Sequence, residues 1–171
     1  LLVAAIKDAS ARHGLKPVLV AAVVEQESGG QQWATRHEPN YIWLWPAGGP
    51  VTPPRGVSYS TEVNQQRTSW GLMQVMGAVA RERGCREPFL ACLCDPALGL
   101  EYGCRHLLWL RQRFGYPPDS ELLAAYNAGS PASKAGQQYA TEVLSRVPRL
   151  NEFFPPTTPP SGGTTIKIGG G

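Results

Sequence analysis

The first residues that could do chemistry are Glu25, Gln26, Glu27 and Ser28. They follow an uninterrupted apolar run, Val18-Leu19-Val20-Ala21-Ala22-Val23-Val24, and precede Gly29-Gly30. Read as one helix, this stretch sets Glu27 on the face of Val23 and Val24, while Glu25 points elsewhere. A carboxyl held against valines is poorly solvated, which penalises its charged form and raises its pKa. That is what a general acid needs near neutral pH. The competing reading is a solvated glutamate near a helix end, because perturbed acids mark sites only statistically.

Other chemistries find less support. Cys85, Cys92, Cys94 and Cys104 lie close together, but their spacing matches no paired zinc-site pattern, and no metal or cofactor is expected. They allow one or two disulfides, with three complete pairings, or buried free thiols. His13, His37 and His106 show no ligand spacing and receive no role.

The acid must be positioned by the elements around it. Pro17 suits the first turn of its helix and Gly29-Gly30 a stop. Residues 1–13 pattern as an amphipathic helix with Leu2, Ala5, Ile6 and Ala9 on one face and Gly14 closing it. Without Met or a basic leader, this start reads as the first helix of an excised or processed domain rather than a signal peptide. After Gly30 the texture changes: Trp33, Tyr41, Trp43 and Trp45 precede Pro46, Pro50 and Pro53-Pro54. Tyr41, Trp43 and Trp45 alternate with Ile42 and Leu44, so a small irregular β-insert is expected over 40–63, with Val57–Ser60 as partner strand. A helix is then expected from an N-cap at Ser69 to Arg83, although Gly71 and Gly77 would each cost it about 1 kcal/mol relative to alanine. Something must need those missing side chains.

Asp95-Pro96 opens the next helix, with Leu100, Cys104, Leu107, Leu108 and Phe114 as its core stripe. Ser120 is the expected cap of Glu121–Tyr126, and a last helix runs from about 137 to 147 with Tyr139, Val143 and Val147 on one face. The chain thus reads as one mainly α domain over 1–154. A Pro/Gly/Thr-rich linker or tail follows over 155–171, in which only Ile166-Lys167-Ile168 could pair as a strand.

At 171 residues, 42% hydrophobic and 17% charged, the chain has the balance of a globular domain. Its net charge of +3 favours an anionic partner such as a wall polymer, yet it lacks the dense Lys/Arg runs of a nucleic-acid binder. No apolar stretch is long enough to span a bilayer.

Three separated segments call for a joint explanation: Glu27-Ser28, Gly71-Leu72-Met73-Gln74 and Ala125-Tyr126-Asn127-Ala128-Gly129. In that order they resemble the catalytic domain of the soluble lytic transglycosylases and their relatives, the goose-type lysozymes. Asp95-Pro96, Gly103, Leu107 and Tyr139 with Val143-Leu144 extend the likeness over about residues 2–150. The resemblance implies a lysozyme-like fold, a helical bundle around a substrate cleft, and makes Glu27 the single catalytic acid. It implies that Ser28, Met73, Gln74, Tyr126 and Asn127 line the substrate and that the Tyr139 hydroxyl lies near the acid. Plain core packing competes for Met73, and a satisfied core phenol for each tyrosine. Gly77, Val79, Gly99 and His106 depart from the family pattern, all away from the acid.

The activity so implied is cleavage of the β-1,4 bond between N-acetylmuramic acid and N-acetylglucosamine in peptidoglycan, with 1,6-anhydro ends as product, at the bacterial wall. The Trp-rich insert resembles that of phage-encoded wall-degrading enzymes, so a phage or wall-associated assembly is one expected setting for a domain read here as monomeric. Two alternatives stand beside this reading. A hydrolytic muramidase would need a second carboxylate to position water, for which Glu62 is the candidate and Glu38 the weaker one. A non-catalytic wall-binding module would instead use Trp33, Trp43 and Trp45 as sugar-stacking surfaces. Two of these tryptophans are expected in the core under the insert, with Trp43 or Trp45 facing substrate.

Overall fold

A computed structural model describes residues 2–156. Ile166-Lys167-Ile168 lies outside the described residues. The chain is mainly helical, and its frame follows the capping signals. Helix α1 (Leu2–Arg12) leads into α2 (Pro17–Ser28), with Pro17 in the first turn and Gly29 at φ 59° donating its N–H to the Glu25 carbonyl. Leu19 to Val24 are all buried, so α2 is packed on every side and runs through the centre of the domain. Each such valine or leucine stabilises the fold by about 1.5–3 kcal/mol on leaving water.

The long helix α5 (Pro96–Arg113) starts at Asp95, whose carboxylate accepts from the N–H groups of Ala97 and Leu98. It buries Leu100, Cys104, Leu107 and Leu110; Leu110 takes the place expected for Leu108, which is half-buried. Helices α6 (Asp119–Ala128) and α7 (Lys134–Leu144) form an antiparallel pair, and α7 and the short α8 (Val147–Leu150) pack against α2. Ser120 lies inside the first turn of α6 and caps nothing, whereas Ser133 caps α7 by accepting from Gly136 N–H.

The segment between α2 and α5 departs most from expectation. The small sheet is antiparallel, in the order β1 (Thr35–His37), β2 (Thr68–Trp70), β3 (Val75–Met76), with Arg36 opposite Ser69 and Ser69 opposite Met76. It flanks the aromatic segment rather than containing it. Residues 40–57 form neither helix nor strand, and Tyr59–Gln66 is helix α3, capped by Ser58, where a partner strand was expected. The backbone groups that a ladder would have used are taken by side chains of α3 and its cap: Gln66 accepts from Trp45 N–H and donates to its carbonyl, and Arg67 donates to the Tyr41 carbonyl.

The helix expected over 69–83 is likewise corrected to strand, turn, strand and a short helix α4 (Gly77–Glu82). The two costly glycines explain why. Gly71 has φ +70°, and a Cβ there would stand 2.2 Å from the Leu93 carbonyl oxygen; at Gly77 it would stand 2.1 Å from that of Gln65. Both mark places where two backbones touch, the first against a 3-10 helix (Leu90–Cys94) that the sequence did not announce.

Candidate active site

Glu27 ends α2 half-buried, and its Oε1 accepts a hydrogen bond of 2.6 Å from the Tyr139 hydroxyl of α7. Burial raises its pKa above the usual carboxylate value; the Tyr139 bond and the charge of Arg36 oppose that rise without cancelling it. Glu25 is turned away, as helical spacing requires, and pairs with Arg149.

The three sequence segments meet at Glu27, and backbone carbonyls join them. The Ser28 hydroxyl donates to the Leu72 carbonyl at 2.8 Å, with the Val24 carbonyl at 3.1 Å, and accepts from Gly30 N–H. Tyr126 of α6 donates to the Met73 carbonyl at 2.7 Å. Gln74, at φ +46°, folds its amide back so that Nε2 donates to the carbonyls of Ala34 and Gly71 while Oε1 accepts from the Ser69 hydroxyl. Gly71 N–H also donates to Ala34, at 2.8 Å. The turn between β2 and β3 is thereby tied to α2, α6 and the segment leading into β1.

This geometry revises several site residues. The Met73 side chain is 0% exposed and packs against Gly103, in the core, while its carbonyl accepts from Tyr126. The polar atoms of the Gln74 amide are engaged by protein, and the side chain acts as a brace. Tyr126 and Tyr139 are both held well above the ordinary phenol range by burial first and by the nearby Glu27 charge second, so both stay protonated donors. Asn127 is exposed next to Tyr126.

Glu62 does not offer an available second carboxylate. It is 1% exposed, its two oxygens accept from Arg81 at 2.7 and 2.8 Å, and Oε1 also accepts from Gln66. Its neighbour in the argument, Glu38, pairs with Arg36 at 2.6 Å.

The tryptophans are also redistributed. Trp43 and Trp33 are 74% and 73% exposed, which removes both from the core, and Trp45 is half-buried.

Sequence reasoning missed Ala34 and Leu72, which act through backbone carbonyls that no side-chain pattern reveals, and Arg36, whose charge reaches Glu27 from β1. His106 stacks on Trp109 with ring centroids 6.0 Å apart and meets Tyr126 at a tilt of 50°, with centroids 5.6 Å apart. Burial, aided by the charge of Arg83, pushes the imidazole down to about 3, so it packs beside Tyr126 as a neutral ring. Among the described residues, no three His, Cys, Asp or Glu side chains gather as metal ligands.

The model of the family described as "Transglycosylase SLT domain" matches residues 4–144. Among solved structures, the chain is similar to an inactive mutant of the lytic transglycosylase Slt from Pseudomonas aeruginosa, with a TM-score of 0.60 and 19% sequence identity. The match covers 87% of this chain and 24% of that one, so the chain spans about a quarter of that protein's length. At this identity the likeness concerns the fold, which is lysozyme-like. No curated protein matches the chain.

Proposed function

The chain belongs to the transglycosylase SLT domain family, and from that premise we propose that it is a peptidoglycan lytic transglycosylase in which Glu27 is acid and base in turn. As acid, Glu27 protonates the glycosidic oxygen of the β-1,4 bond from N-acetylmuramic acid to N-acetylglucosamine while positive charge develops on the sugar ring. As base, it takes the proton from the 6-hydroxyl of the same muramic residue as that oxygen attacks the anomeric carbon. The product is a 1,6-anhydro end. Because the nucleophile comes with the substrate, one carboxyl suffices, unlike the usual pair of a glycosidase.

The observation that carries this reading is the Glu27 environment: a carboxyl biased towards its acid form by burial, with a phenol donor at 2.6 Å to hold the carboxylate after proton transfer. Further support comes from the other acids. Glu25, Glu38 and Glu62 are each engaged by arginine, which deprives the hydrolytic alternative of its named partner. Trp43 would stack on a sugar face, with Trp45 beside it, and Asn127 would bond the sugar's amide or hydroxyl groups. The mild positive charge suits an anionic wall polymer. No described helix is long and apolar enough to cross a membrane. The proposed place of action is the bacterial wall.

The test is turbidity loss of purified peptidoglycan with the wild-type chain and Glu27→Gln. Wild type is expected to clear the suspension and the variant to leave it unchanged while keeping the same circular dichroism. A Glu27→Gln variant as active as wild type would overturn the assignment, and no clearing by wild type would favour a binding module.

A further inference from the structure

Three consecutive residues at the end of α2 each hold the segment that carries Tyr139. Glu25 pairs with Arg149 of α8, Gln26 Nε2 donates to Glu142 Oε2 of α7 at 3.0 Å, and Glu27 Oε1 accepts from the Tyr139 hydroxyl of α7 at 2.6 Å. Successive side chains of a helix diverge by about 100°, so α7 and α8 grip the end of α2 from several directions rather than along one stripe. Arg146, in the link between α7 and α8, donates from Nη1 to the Glu142 carbonyl at 2.7 Å and closes the end of α7.

The apolar contacts of α7 do not by themselves fix where its tyrosine points. Gly136, Ala140 and Val143 are buried, and Gly136 lies so close to α6 that a Cβ there would stand 2.5 Å from the Ala124 carbonyl oxygen. Such contacts set the distance between helices, but they are non-directional and tolerate a roll about the helix axis. Tyr139 and Glu142, three residues apart on neighbouring turns, both bond to α2. Hydrogen bonds are directional, and a phenol that retreats by about 1 Å from this position no longer makes one. Glu142 is thus a second polar anchor beside the tyrosine. Because it is exposed, its bond adds little to stability, and its effect lies in geometry.

We propose that Gln26 and Glu142 are positioning residues: their hydrogen bond fixes the rotation of α7 and so seats the Tyr139 hydroxyl on Glu27. The proposal rests on the reading of Glu27 as the acid and adds what keeps its phenol donor in register. Both residues act through Tyr139. Loosening α7 withdraws a donor that favours the Glu27 carboxylate, so the acid holds its proton to higher pH. Removal of the Glu142 charge alone acts in the opposite sense, because a like charge disfavours ionisation. The other groups around the pair are Arg36 on β1 and Tyr126 on α6, which face Glu27, and Arg146, which faces Tyr139; the variants that test the proposal leave all three unchanged.

The test is a carbon-13 NMR titration of the Glu27 carboxyl in the folded full chain, its signal assigned by its loss in Glu27→Gln. Tyr139→Phe is expected to raise the Glu27 midpoint by about 1–2 pH units, the equivalent of one hydrogen bond to a charged group. Gln26→Ala and Glu142→Ala should each place the midpoint between wild type and Tyr139→Phe. Gln26→Ala combined with Tyr139→Phe should match Tyr139→Phe alone, because both act through one contact. Glu142→Gln keeps an acceptor for Gln26 and should not raise the midpoint. Alanine favours helix at both positions, so the variants should fold as wild type does, which circular dichroism checks. A Gln26→Ala midpoint at or below wild type, or a further rise in the double variant, would overturn the proposal. The titration needs no peptidoglycan, so inactivity of the wild-type chain would count against the proposed function and leave this result readable.

Discussion

Replacement of Gly71 by alanine tests whether the turn between β2 and β3 is held by backbone contact. At φ +70° a residue with a side chain pays about 1–2 kcal/mol for the left-handed conformation. The added Cβ would also stand 2.2 Å from the Leu93 oxygen and 3.1 Å from its carbonyl carbon. Ordinary contact begins near 3.5 Å, so the 3-10 helix would have to retreat by about 1 Å, and such overpacking costs about 1–3 kcal/mol. Together these give about 2–5 kcal/mol, a large share of the 5–15 kcal/mol typical of a folded domain. Gly14→Ala is the matched control, because Gly14 has φ +61° but nothing within 4 Å of the added Cβ. The loss of unfolded-state entropy is common to both variants and cancels in their comparison. Urea denaturation should therefore show Gly71→Ala less stable than Gly14→Ala by about 1–3 kcal/mol at unchanged m value. At a temperature where both are folded, only Gly71→Ala should lose activity, because the Met73 carbonyl and Gln74 move with the turn. Equal midpoints for the two variants would refute the contact argument.

Three more outcomes follow from the charges. Tyr139→Phe removes a bond that favours the Glu27 carboxylate and so raises its pKa further; since the acid must be protonated, the alkaline limb of kcat/KM should move to higher pH. Arg36→Gln should move it the same way, and a shift to lower pH in either profile would contradict the site electrostatics. Glu62→Gln strands Arg81 without its buried partner and should cost about 3–5 kcal/mol in denaturation while leaving the pH profile in place. Because burial raises the folded pKa of Glu27 above 4.5, the native state keeps a proton that the unfolded chain has released, and stability falls as pH rises through that window. Glu27→Gln should accordingly melt above wild type at neutral pH and lose that advantage below pH 4.5, the ordinary carboxylate value; thermal melts at the two pH values check it.

The elements that could be read from the sequence are those whose signals are local. Pro17 and Gly29 bracket α2, Asp95-Pro96 opens α5, and apolar spacing marks the buried faces of α1 and α7, so Glu27 and Tyr139 could be set on their helices. The stretch from 31 to 94 was misread because its partners are distant. Alternating aromatics at 41, 43 and 45 imitate a strand, but side chains at 66 and 67 satisfy the backbone there. Gly71 and Gly77 signalled a need for bare backbone without saying what approached it. Met73 and Gln74 were placed in the right neighbourhood, yet one turns its side chain into the core and the other braces the turn, since carbonyl contacts leave no trace in residue type.

The most direct test of the single-carboxyl mechanism is the mass of the muropeptides that the wild-type chain releases from purified peptidoglycan. Internal attack by the 6-hydroxyl predicts anhydro-muramic ends, lighter by one water than reducing ends. Release of reducing ends alone would contradict it and would require a water-positioning group other than Glu25, Glu38 and Glu62, each of which is paired with arginine.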